Sequence, residues 1–462
     1  MSGIAEILIN LGYPVSGSDL RRSTITDRLA SLGATVFEGH APANVVGAGV
    51  VVTSSAVNER NAEVVEARAH KIPVIQRAEM LAELMRLKYG IAVAGMHGKT
   101  TTTSMVAALL AGGGLDPTVV VGGRVDAMGS NARLGKSRYL VAEADESDRS
   151  FLKLSPILAV VTNLDREHMD CYRDMEDVEN AFVTFMNRVP FYGSCTVCLD
   201  NPPLAAVLPR VERRVFTYGT TPEADFVVRM LPLTSASLPV SEGEPASAVR
   251  SRFEVVAGGN VLGPFELHVP GRHNVLNATA AIAIATQLEV PTPQITAALA
   301  AYRGVDRRFQ WKGSVGGVSV VDDYGHHPTE IRATLAAARE CGYKRIHVLF
   351  QPHRYTRTRD LMPEFAAAFA DADTAQVLDV YAASEEPIAG VDTPALVKAI
   401  GRSSVQYSRS FDEAVRRVVA EAKEGDVILT LGAGNVSQLG ALVLAALEPA
   451  VETRLASGHI DN

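Results

Sequence analysis

The glycine-rich segment Gly95-Met96-His97-Gly98-Lys99-Thr100-Thr101-Thr102 constrains this 462-residue chain more than any other stretch. It follows the apolar run 91–94 and precedes the helix-prone run 104–110, which is the order strand, glycine loop and helix. In such a turn, backbone N–H groups close around an anion and the helix N-terminus adds partial positive charge. Lys99 is then expected to reach the outer phosphates of a nucleotide, and Thr100 to ligate Mg²⁺. A Gly-Thr-rich connection without a ligand is the alternative, since the spacing G-x-x-G-K-T is shorter than that of the usual phosphate loop.

Length and composition limit the class of protein. The chain is long enough for about three domains. Its 47% hydrophobic and 21% charged residues are typical of a soluble enzyme. The net charge of -8 argues against nucleic acid or a membrane surface as a partner. No apolar run is long enough to span a bilayer, and no basic segment followed by an apolar core stands at the N-terminus, so a cytoplasmic location is expected.

The four cysteines are too few and too scattered for a disulfide framework. Cys195 and Cys198 form a C-x-x-C pair, but they fall on the apolar run 194–199, which reads as a buried strand. Positions three apart on a strand point to opposite faces, and no second pair completes a zinc site. Core cysteines are therefore predicted.

The first segment alternates helical and strand-like runs, which predicts a parallel sheet. Ligands of such sheets lie at the carboxyl ends of the strands. The polar side chains expected at those ends are Ser18, Asp19, His40, Ser54 and Ser55. Asp19 suits a ribose hydroxyl, whereas helix capping is the alternative for each of these residues.

Acidic residues follow the next predicted strand, 139–142, as Glu143-Ala144-Asp145-Glu146-Ser147-Asp148. Four acids at one strand end favour a bound cation, and Mg²⁺ is the natural one beside a phosphate loop. A solvated acidic turn is the alternative. The strand 157–162 ends in a further polar run that contains His168, a metal ligand or a surface histidine.

A β-rich excursion is predicted over 222–270, and an Ala-rich helix over 278–288. His273, Asn274 and Asn277 stand at the beginning of that helix. They are either ordinary helix caps or side chains that read an adenine edge.

The last third of the chain returns to alternating strands and helices, with strands over 318–321, 345–350, 375–380 and 427–431. Polar residues follow each strand, which is typical of a second ligand-binding domain. Arg354 and Arg357 lie one helical turn apart, so they can clamp a carboxylate or phosphate together. A solvated basic turn is the alternative.

Taken in order, the polar motifs resemble those of the Mur ligase family across essentially the whole chain. The motifs are AGMHGKTTT at 94–102, EADESD at 143–148, HMD at 168–170, GRHNVLN at 271–277, DYGHHP at 323–328 and QPHRY at 351–355. The resemblance implies an α/β fold of three domains: a Rossmann-like UDP-binding domain over 1–87, a central phosphate-loop ATPase domain over 88–306, and a Rossmann-like amino-acid-binding domain over 307–462. The family has a strand and a glycine-rich loop before the first helix. This sequence begins at that helix, so a truncated first domain or a misassigned start is expected.

The resemblance also implies the reaction, an ATP- and Mg²⁺-dependent joining of L-alanine to the lactyl carboxylate of UDP-N-acetylmuramate through an acyl phosphate. ATP contacts are implied for Gly95, Met96, His97, Gly98, Lys99, Thr100, Thr101, His273, Asn274, Asn277 and Asp323. Metal ligation is implied for Thr100, Glu143 and His168. Substrate contacts are expected from Ser18, Asp19, Ser54, Ser55, Tyr324, His326, Arg354 and Arg357. Catalytic roles are implied for Lys99, His168, His326, Arg354 and Arg357.

The family's later-step ligases use a carbamylated lysine downstream of the metal histidine, and this chain has no lysine between Lys153 and Lys312. The absence of this lysine favours either the ligase that adds L-alanine in the first step or the related ligase that recycles murein tripeptide. The EADESD motif favours the L-alanine ligase. A non-catalytic nucleotide-binding scaffold is the alternative from another class. A monomer or weak homodimer is expected.

Overall fold

The computed structural model describes residues 1–54, 57–125, 130–233 and 250–456. They form two compact units. The first comprises Met1–Val228, Val256–Asn260 and Asn277–Ala298, and the second Arg229–Val255, Val261–Leu276 and Leu299–Asn462. The domain limits expected from the sequence, 1–87, 88–306 and 307–462, stay a prediction.

The first segment alternates helices and short strands as expected. Its elements are α1 (Ser2–Asn10), β1 (Ser16–Asp19), α2 (Thr24–Ser31), β2 (Thr35–Glu38), β3 (Val51–Thr53), α3 (Ala62–Ala69), β4 (Val74–Gln76) and α4 (Arg77–Arg86). The strands pair in parallel, but as two separate two-stranded sheets, β1 with β2 and β3 with β4, rather than as one. Strand β1 is Ser-Gly-Ser-Asp and carries no apolar side chain to bury against further strands.

A larger sheet follows, with helices inserted between its strands. The elements are β5 (Tyr89–Ala94), α5 (Lys99–Gly112), β6 (Thr118–Val125), β7 (Ser130–Arg133), β8 (Tyr139–Glu143), β9 (Leu158–Val161), α6 (Met175–Asn187), β10 (Ser194–Cys198), α7 (Pro202–Val207), β11 (Val215–Gly219) and β12 (Phe226–Leu231). The strand order is β12-β11-β10-β9-β5-β8-β6-β7. Strand β5 therefore lies between β9 and β8, parallel to both, and the residues that follow these three strands meet at one edge.

The strands of this sheet are apolar because helices cover a parallel sheet on both faces. Residues Ile91, Ala92, Val93 and Ala94 of β5 are all fully buried. Cys195 and Cys198 are buried on β10 with free thiols, which confirms the predicted core cysteines. The predicted β-rich excursion contains β12 and two further strands, β13 (Ser251–Ala257) and β14 (Asn260–Leu267). Helices α8 (Arg272–Gln287) and α9 (Thr292–Ala301) follow.

The second unit holds a six-stranded sheet in the order β15-β16-β20-β17-β18-β19. Only the pair β15–β16 is antiparallel; the other neighbours are parallel. The elements are β15 (Gln310–Val315), β16 (Val318–Asp323), α10 (Pro328–Glu340), β17 (Ile346–Phe350), α11 (Tyr355–Asp360), α12 (Met362–Ala368), β18 (Thr374–Val377), α13 (Thr393–Ile400), β19 (Val405–Tyr407), α14 (Phe411–Glu421), β20 (Val427–Leu431) and α15 (Leu439–Ala456).

Alternate residues of these strands serve two cores, as the two-residue period of a strand requires. On β17, Val348 and Phe350 pack with Ile331 of α10 and Phe365 of α12. Leu349 packs on the opposite face in a core to which α14 and α15 contribute. Among the described helices, none is both long enough and apolar enough to cross a bilayer.

Candidate functional site

The glycine loop connects β5 to α5 and depends on two glycines. Gly95 has φ +133°, and a Cβ atom there would come within 2.0 Å of the Thr162 Oγ1 atom. Gly98 has φ +81°, and a Cβ atom there would come within 2.8 Å of the Asn277 Oδ1 atom. Both positions therefore require glycine for conformation and for space. The second contact places Asn277, one of the predicted ATP-binding residues, directly against the loop.

Residues after β9 hold the loop in shape. The Thr162 hydroxyl and the Asn163 amide donate to the His97 carbonyl oxygen over 2.7 and 2.9 Å, and the His97 N–H donates to Asn163 Oδ1 over 2.9 Å. The N–H of Met96, whose side chain is buried, donates to the Asn163 carbonyl. The sequence marked the polar run after β9 but did not single out Thr162 or Asn163 as the residues that support the loop.

Lys99 begins α5, and its ammonium group is held beneath the loop. Nζ donates to the carbonyl oxygens of Gly95 and Met96 over 2.8 and 3.1 Å and to Glu146 Oε1 over 2.7 Å. Burial disfavours the ammonium ion, but the charges of Glu146 and Glu143 outweigh it, so the pKa of Lys99 is raised. The side chain is therefore a cation at the point where the sequence predicts phosphate.

Glu146 is the buried partner of Lys99, with a side chain only 1% exposed. Burial raises the pKa of Glu146 to about 7, although the Lys99 charge opposes that shift. Its second carboxylate oxygen, Oε2, is buried and has no hydrogen-bond partner among the described residues. The sequence included Glu146 in an acidic run but assigned it no role.

Two of the three predicted metal ligands lie together. The Thr100 hydroxyl stands 3.0 Å from both carboxylate oxygens of Glu143. Hydroxyl and carboxylate oxygens are the ligands that Mg²⁺ prefers, and the unpartnered Oε2 of Glu146 adds an oxygen donor to this edge of the sheet. The side chains present therefore fit a magnesium ion.

His168, the third predicted ligand, lies on the Glu146 side of the edge. Its Nε2 atom is 3.5 Å from Glu146 Oε1 and 3.8 Å from Glu167 Oε1. His168 has φ +57°, a left-handed conformation that is uncommon outside glycine and is concentrated at functional sites. His97 Nε2 donates to Asp165 Oδ2 over 2.9 Å, so this loop histidine is anchored by the same run after β9.

Thr101, another of the predicted ATP-binding residues, is buried in the first turn of α5.

The predicted substrate residues of the first segment differ in their surroundings. The Ser18 hydroxyl donates to Glu63 Oε2 over 2.7 Å and lies 2.9 Å from His40 Nδ1. Asn44 Nδ2 donates to the other oxygen of the same carboxylate over 2.6 Å. Glu63 and Asn44 were not predicted, and Glu63 had only its place in the first turn of α3 as a signal.

Asp19 ends β1, where its carbonyl oxygen accepts from Gly39 N. The Ser54 carbonyl accepts from Val57 N, and Ser55 lies outside the described residues. The ligand contacts expected of these three residues stay predictions.

In the second unit, Asp323 ends β16 and anchors the turn that follows. Its Oδ1 atom accepts from Gly325 N over 2.7 Å and its Oδ2 atom from Phe309 N over 2.7 Å. Burial raises the pKa of Asp323, opposed by the Arg308 charge. Its carboxylate thus serves the local backbone, and its predicted contact with ATP stays a prediction.

Tyr324 and His326 follow in the same turn. Two guanidinium groups, those of Arg307 and Arg308, lie over the Tyr324 ring at 4.9 and 5.1 Å from its centroid. His326 Nδ1 donates to the Tyr324 carbonyl over 3.0 Å, and the His326 N–H donates to Glu330 Oε2. This corner combines cations, rings and a carboxylate, which suits an anionic or zwitterionic ligand.

Arg354 and Arg357 stand at the beginning of α11 and have different partners. Arg354 has φ +71° and lies 3.9 Å from Glu385 Oε1 through Nη1. Arg357 Nη1 donates to His353 Nδ1 over 3.2 Å and to the His353 carbonyl over 3.0 Å. The predicted joint clamp of the two arginines on one anion therefore stays a prediction.

His353 itself was not singled out from the sequence. Its ring stacks on Tyr381 at 5.5 Å and lies 5.6 Å from the His326 ring. It thus connects the end of β17 with two of the other polar strand ends.

His273 and Asn274 begin α8 in the second unit. Desolvation and the nearby Arg308 charge lower the pKa of His273, although the residue keeps an exposed surface. Asn274 Nδ2 donates to the Pro270 carbonyl over 2.7 Å. The Asn274 contact is that of a helix beginning, and contact of His273 or Asn274 with adenine stays a prediction.

Family models of the Mur ligases match most of the chain. The model described as Mur ligase family, catalytic domain, matches residues 1–89. The Mur ligase middle domain matches 93–285, and the Mur ligase, glutamate ligase domain, matches 307–434.

Curated relatives and solved structures agree with these matches. The UDP-N-acetylmuramate–L-alanine ligase of Acidobacterium capsulatum is 70% identical over 97% of this chain and 95% of its own, and that of Koribacter versatilis is 66% identical over the same shares. The crystal structure of the UDP-N-acetylmuramate–alanine ligase of Thermotoga maritima superposes with a TM-score of 0.74 and 26% identity over 97% of each chain. The crystal structure of a murein peptide ligase of Psychrobacter arcticus superposes with a TM-score of 0.65 and 25% sequence identity, over 97% of this chain and 96% of its own. The predicted three-domain α/β fold is confirmed, and the chain belongs to the Mur ligase family.

Proposed function

We propose that this chain joins L-alanine to the lactyl carboxylate of UDP-N-acetylmuramate, with ATP converted to ADP and phosphate, in peptidoglycan precursor synthesis. The observation that carries the proposal is the phosphate loop with Lys99 held as a buried cation between two loop carbonyls and Glu146. The relatives that are 66 and 70% identical to this chain bear the name of that ligase.

The loop acts on the phosphates of ATP. Its fixed glycines leave the backbone N–H groups and the beginning of α5 to bind the phosphate oxygens, and Lys99 neutralises negative charge as the γ-phosphoryl group moves. Thr100, Glu143 and His168 would hold Mg²⁺, which supplies further neutralisation of phosphate charge when it is bound. Asn277 is placed against the loop for the nucleotide, with His273, Asn274 and Asp323 as the remaining proposed contacts.

The reaction needs no nucleophile from the protein. The lactyl carboxylate attacks the γ-phosphorus of ATP and forms an acyl phosphate, and ADP leaves. The L-alanine amine then attacks the acyl carbon, phosphate leaves, and the amine loses a proton to give the amide. Tyr324, His326, Arg354 and Arg357 orient the carboxylates and the amine, and Ser18, Asp19, Ser54 and Ser55 contact the UDP part of the substrate.

A tripeptide-recycling ligase is the second candidate, since the murein peptide ligase of Psychrobacter arcticus has a similar fold. The chain is 66 and 70% identical to the named L-alanine ligases and 25% identical to that murein peptide ligase, which supports the L-alanine ligase as the first candidate. We also propose that the protein is cytoplasmic and is a monomer or a weak homodimer.

The test is phosphate release from ATP with UDP-N-acetylmuramate, with and without L-alanine, and with murein tripeptide in its place. Release that needs both UDP-N-acetylmuramate and L-alanine is expected. Release with tripeptide alone would favour the recycling activity. ADP binding without phosphate release under any of these conditions would favour a non-catalytic nucleotide-binding scaffold.

The Lys99→Ala variant is expected to lower that release at least about a hundredfold, since one preorganised cation is lost from the transition state. The matched control is Lys153→Ala, which removes a lysine of the same unit that pairs with Glu79 at the surface, 3.0 Å from its Oε1 atom. Near-normal release from the Lys99 variant would contradict the phosphate-loop assignment.

A further inference from the structure

Glu146 forms an ion pair with Lys99. The Lys99 ammonium and Glu146 Oε1 are 2.7 Å apart, and both side chains are largely shielded from water. A nucleotide that uses Lys99 therefore has to share this ammonium with a carboxylate that is already in place. The phosphates compete with a buried ion pair rather than approaching an unpaired cation.

The position of Glu146 makes this competition depend on a divalent ion. A phosphate that contacts Lys99 comes close to the Glu146 carboxylate, and two like charges in a shielded site repel each other strongly. The Glu146 side chain is only 1% exposed, so water screens its charge poorly. Its Oε2 atom, buried and without a hydrogen-bond partner among the residues described, is placed to face a cation or a cation-bound water.

We propose that Glu146 makes nucleotide binding metal-dependent: it occupies Lys99 in the empty site and opposes a nucleotide that arrives without a divalent ion. The inference rests on the proposed nucleotide site and assigns a specificity role to Glu146, which is not among the proposed metal ligands Thr100, Glu143 and His168. Glu146 is a positioning residue in this account, since it acts through Lys99 and through the ion rather than on the reacting atoms.

The experiment measures ADP binding by calorimetry at pH 8, once in EDTA and once in excess Mg²⁺. The contact under test is the 2.7 Å pair of the Lys99 ammonium with Glu146 Oε1. The Glu146→Gln variant keeps the shape of the side chain and removes its charge. It is expected to bind ADP in EDTA roughly tenfold tighter than the wild type, because Lys99 is released and the repulsion is gone. The gain in affinity that Mg²⁺ provides is expected to shrink by at least about the same factor.

A merely structural role would weaken binding under both conditions. An affinity of Glu146→Gln for ADP in EDTA that is equal to or below the wild-type affinity overturns the inference. The matched control is Glu79→Gln, which removes the carboxylate of the surface pair with Lys153 and is expected to change neither affinity.

Two further outcomes distinguish a failure of the nucleotide site from a failure of the role of Glu146. A wild-type chain that does not bind ADP even with Mg²⁺ overturns the nucleotide site itself, and the inference with it. If Glu146→Gln does not fold, as judged by circular dichroism, Glu146→Asp replaces it. This variant draws the carboxylate away from Lys99 and is expected to tighten binding in EDTA by a smaller factor; unchanged or weaker binding overturns the inference.

Discussion

His273 shows how a polar side chain ties the fold to pH. Desolvation by the surrounding protein and the nearby Arg308 charge lower its pKa in the folded chain to about 4 against an ordinary value of 6.5, although the residue keeps an exposed surface. Between these two values the unfolded chain binds a proton that the folded chain does not. The free energy of unfolding therefore falls as the pH falls below 6.5, and the loss is complete below about pH 4.

The prediction is that His273→Gln removes this part of the acid sensitivity. Between pH 7.5 and pH 5 the wild type is expected to lose more stability than the variant, by about 1 kcal/mol at most, since solvent screens the interactions of an exposed ring. Urea unfolding at both pH values measures it. His70→Gln, at an exposed histidine that pairs with Glu66, is the control. An equal loss in wild type and His273→Gln would show that the ring does not titrate as described.

At the scale of elements, the connection from β5 to α5 is shaped by neighbours on either side. The residues directly after β9 include Thr162 and Asn163, whose side chains bind the His97 backbone. Helix α8 supplies Asn277 against Gly98. The shape of the loop is therefore fixed by contacts from the segment after β9 and from α8, which suits the preorganised anion site that we propose.

The matching prediction compares two glycines with the same backbone angle. Gly98 and Gly47 both have φ +81°, but a Cβ atom at Gly98 meets Asn277 at 2.8 Å, while one at Gly47 meets nothing within 4 Å. Gly47→Ala is expected to cost about 1 kcal/mol of stability and to leave ADP affinity unchanged. Gly98→Ala is expected to lower ADP affinity by roughly tenfold or more in addition, because Asn277 and the loop must move apart. Calorimetric ADP binding and urea unfolding measure both effects, and equal ADP affinity in the two variants would contradict the contact.

At the scale of the whole molecule, the residues proposed for phosphate and metal binding and those proposed for the substrate belong to different compact units. The phosphate loop and the acids after β8 belong to the first unit, whereas Tyr324, His326, Arg354 and Arg357 belong to the second. Nucleotide binding and ligation are therefore expected to be separable by mutation.

The Arg357→Lys variant tests that division. A lysine keeps the charge but loses the planar group that donates to His353, so L-alanine-dependent phosphate release is expected to fall at least about tenfold. ADP binding in the presence of Mg²⁺ is expected to stay at the wild-type value. Arg359→Lys, on the same helix and paired with Asp360, is the control for both measurements. A loss of ADP affinity in Arg357→Lys would contradict the division.

The sequence alone was sufficient for the features that depend on neighbours along the chain. The apolar run before Gly95, the acids after Ala142 and the polar residues after each later strand carry their own local signal, and the structure contains the corresponding strands. The same local patterns were enough to place Cys195 and Cys198 in a buried strand.

Only the tertiary structure could decide which of these residues meet. Lys99 pairs with Glu146 across 47 positions of sequence, and His97 is held by Asn163 across 66. Both contacts exist because β5 lies between β8 and β9, and the order of strands in a sheet is not encoded in any local periodicity. For the same reason the stacking of His353 on Tyr381 and the contact of Asn277 with Gly98 carried no signal in the sequence: each joins residues that are brought together only when separate elements pack.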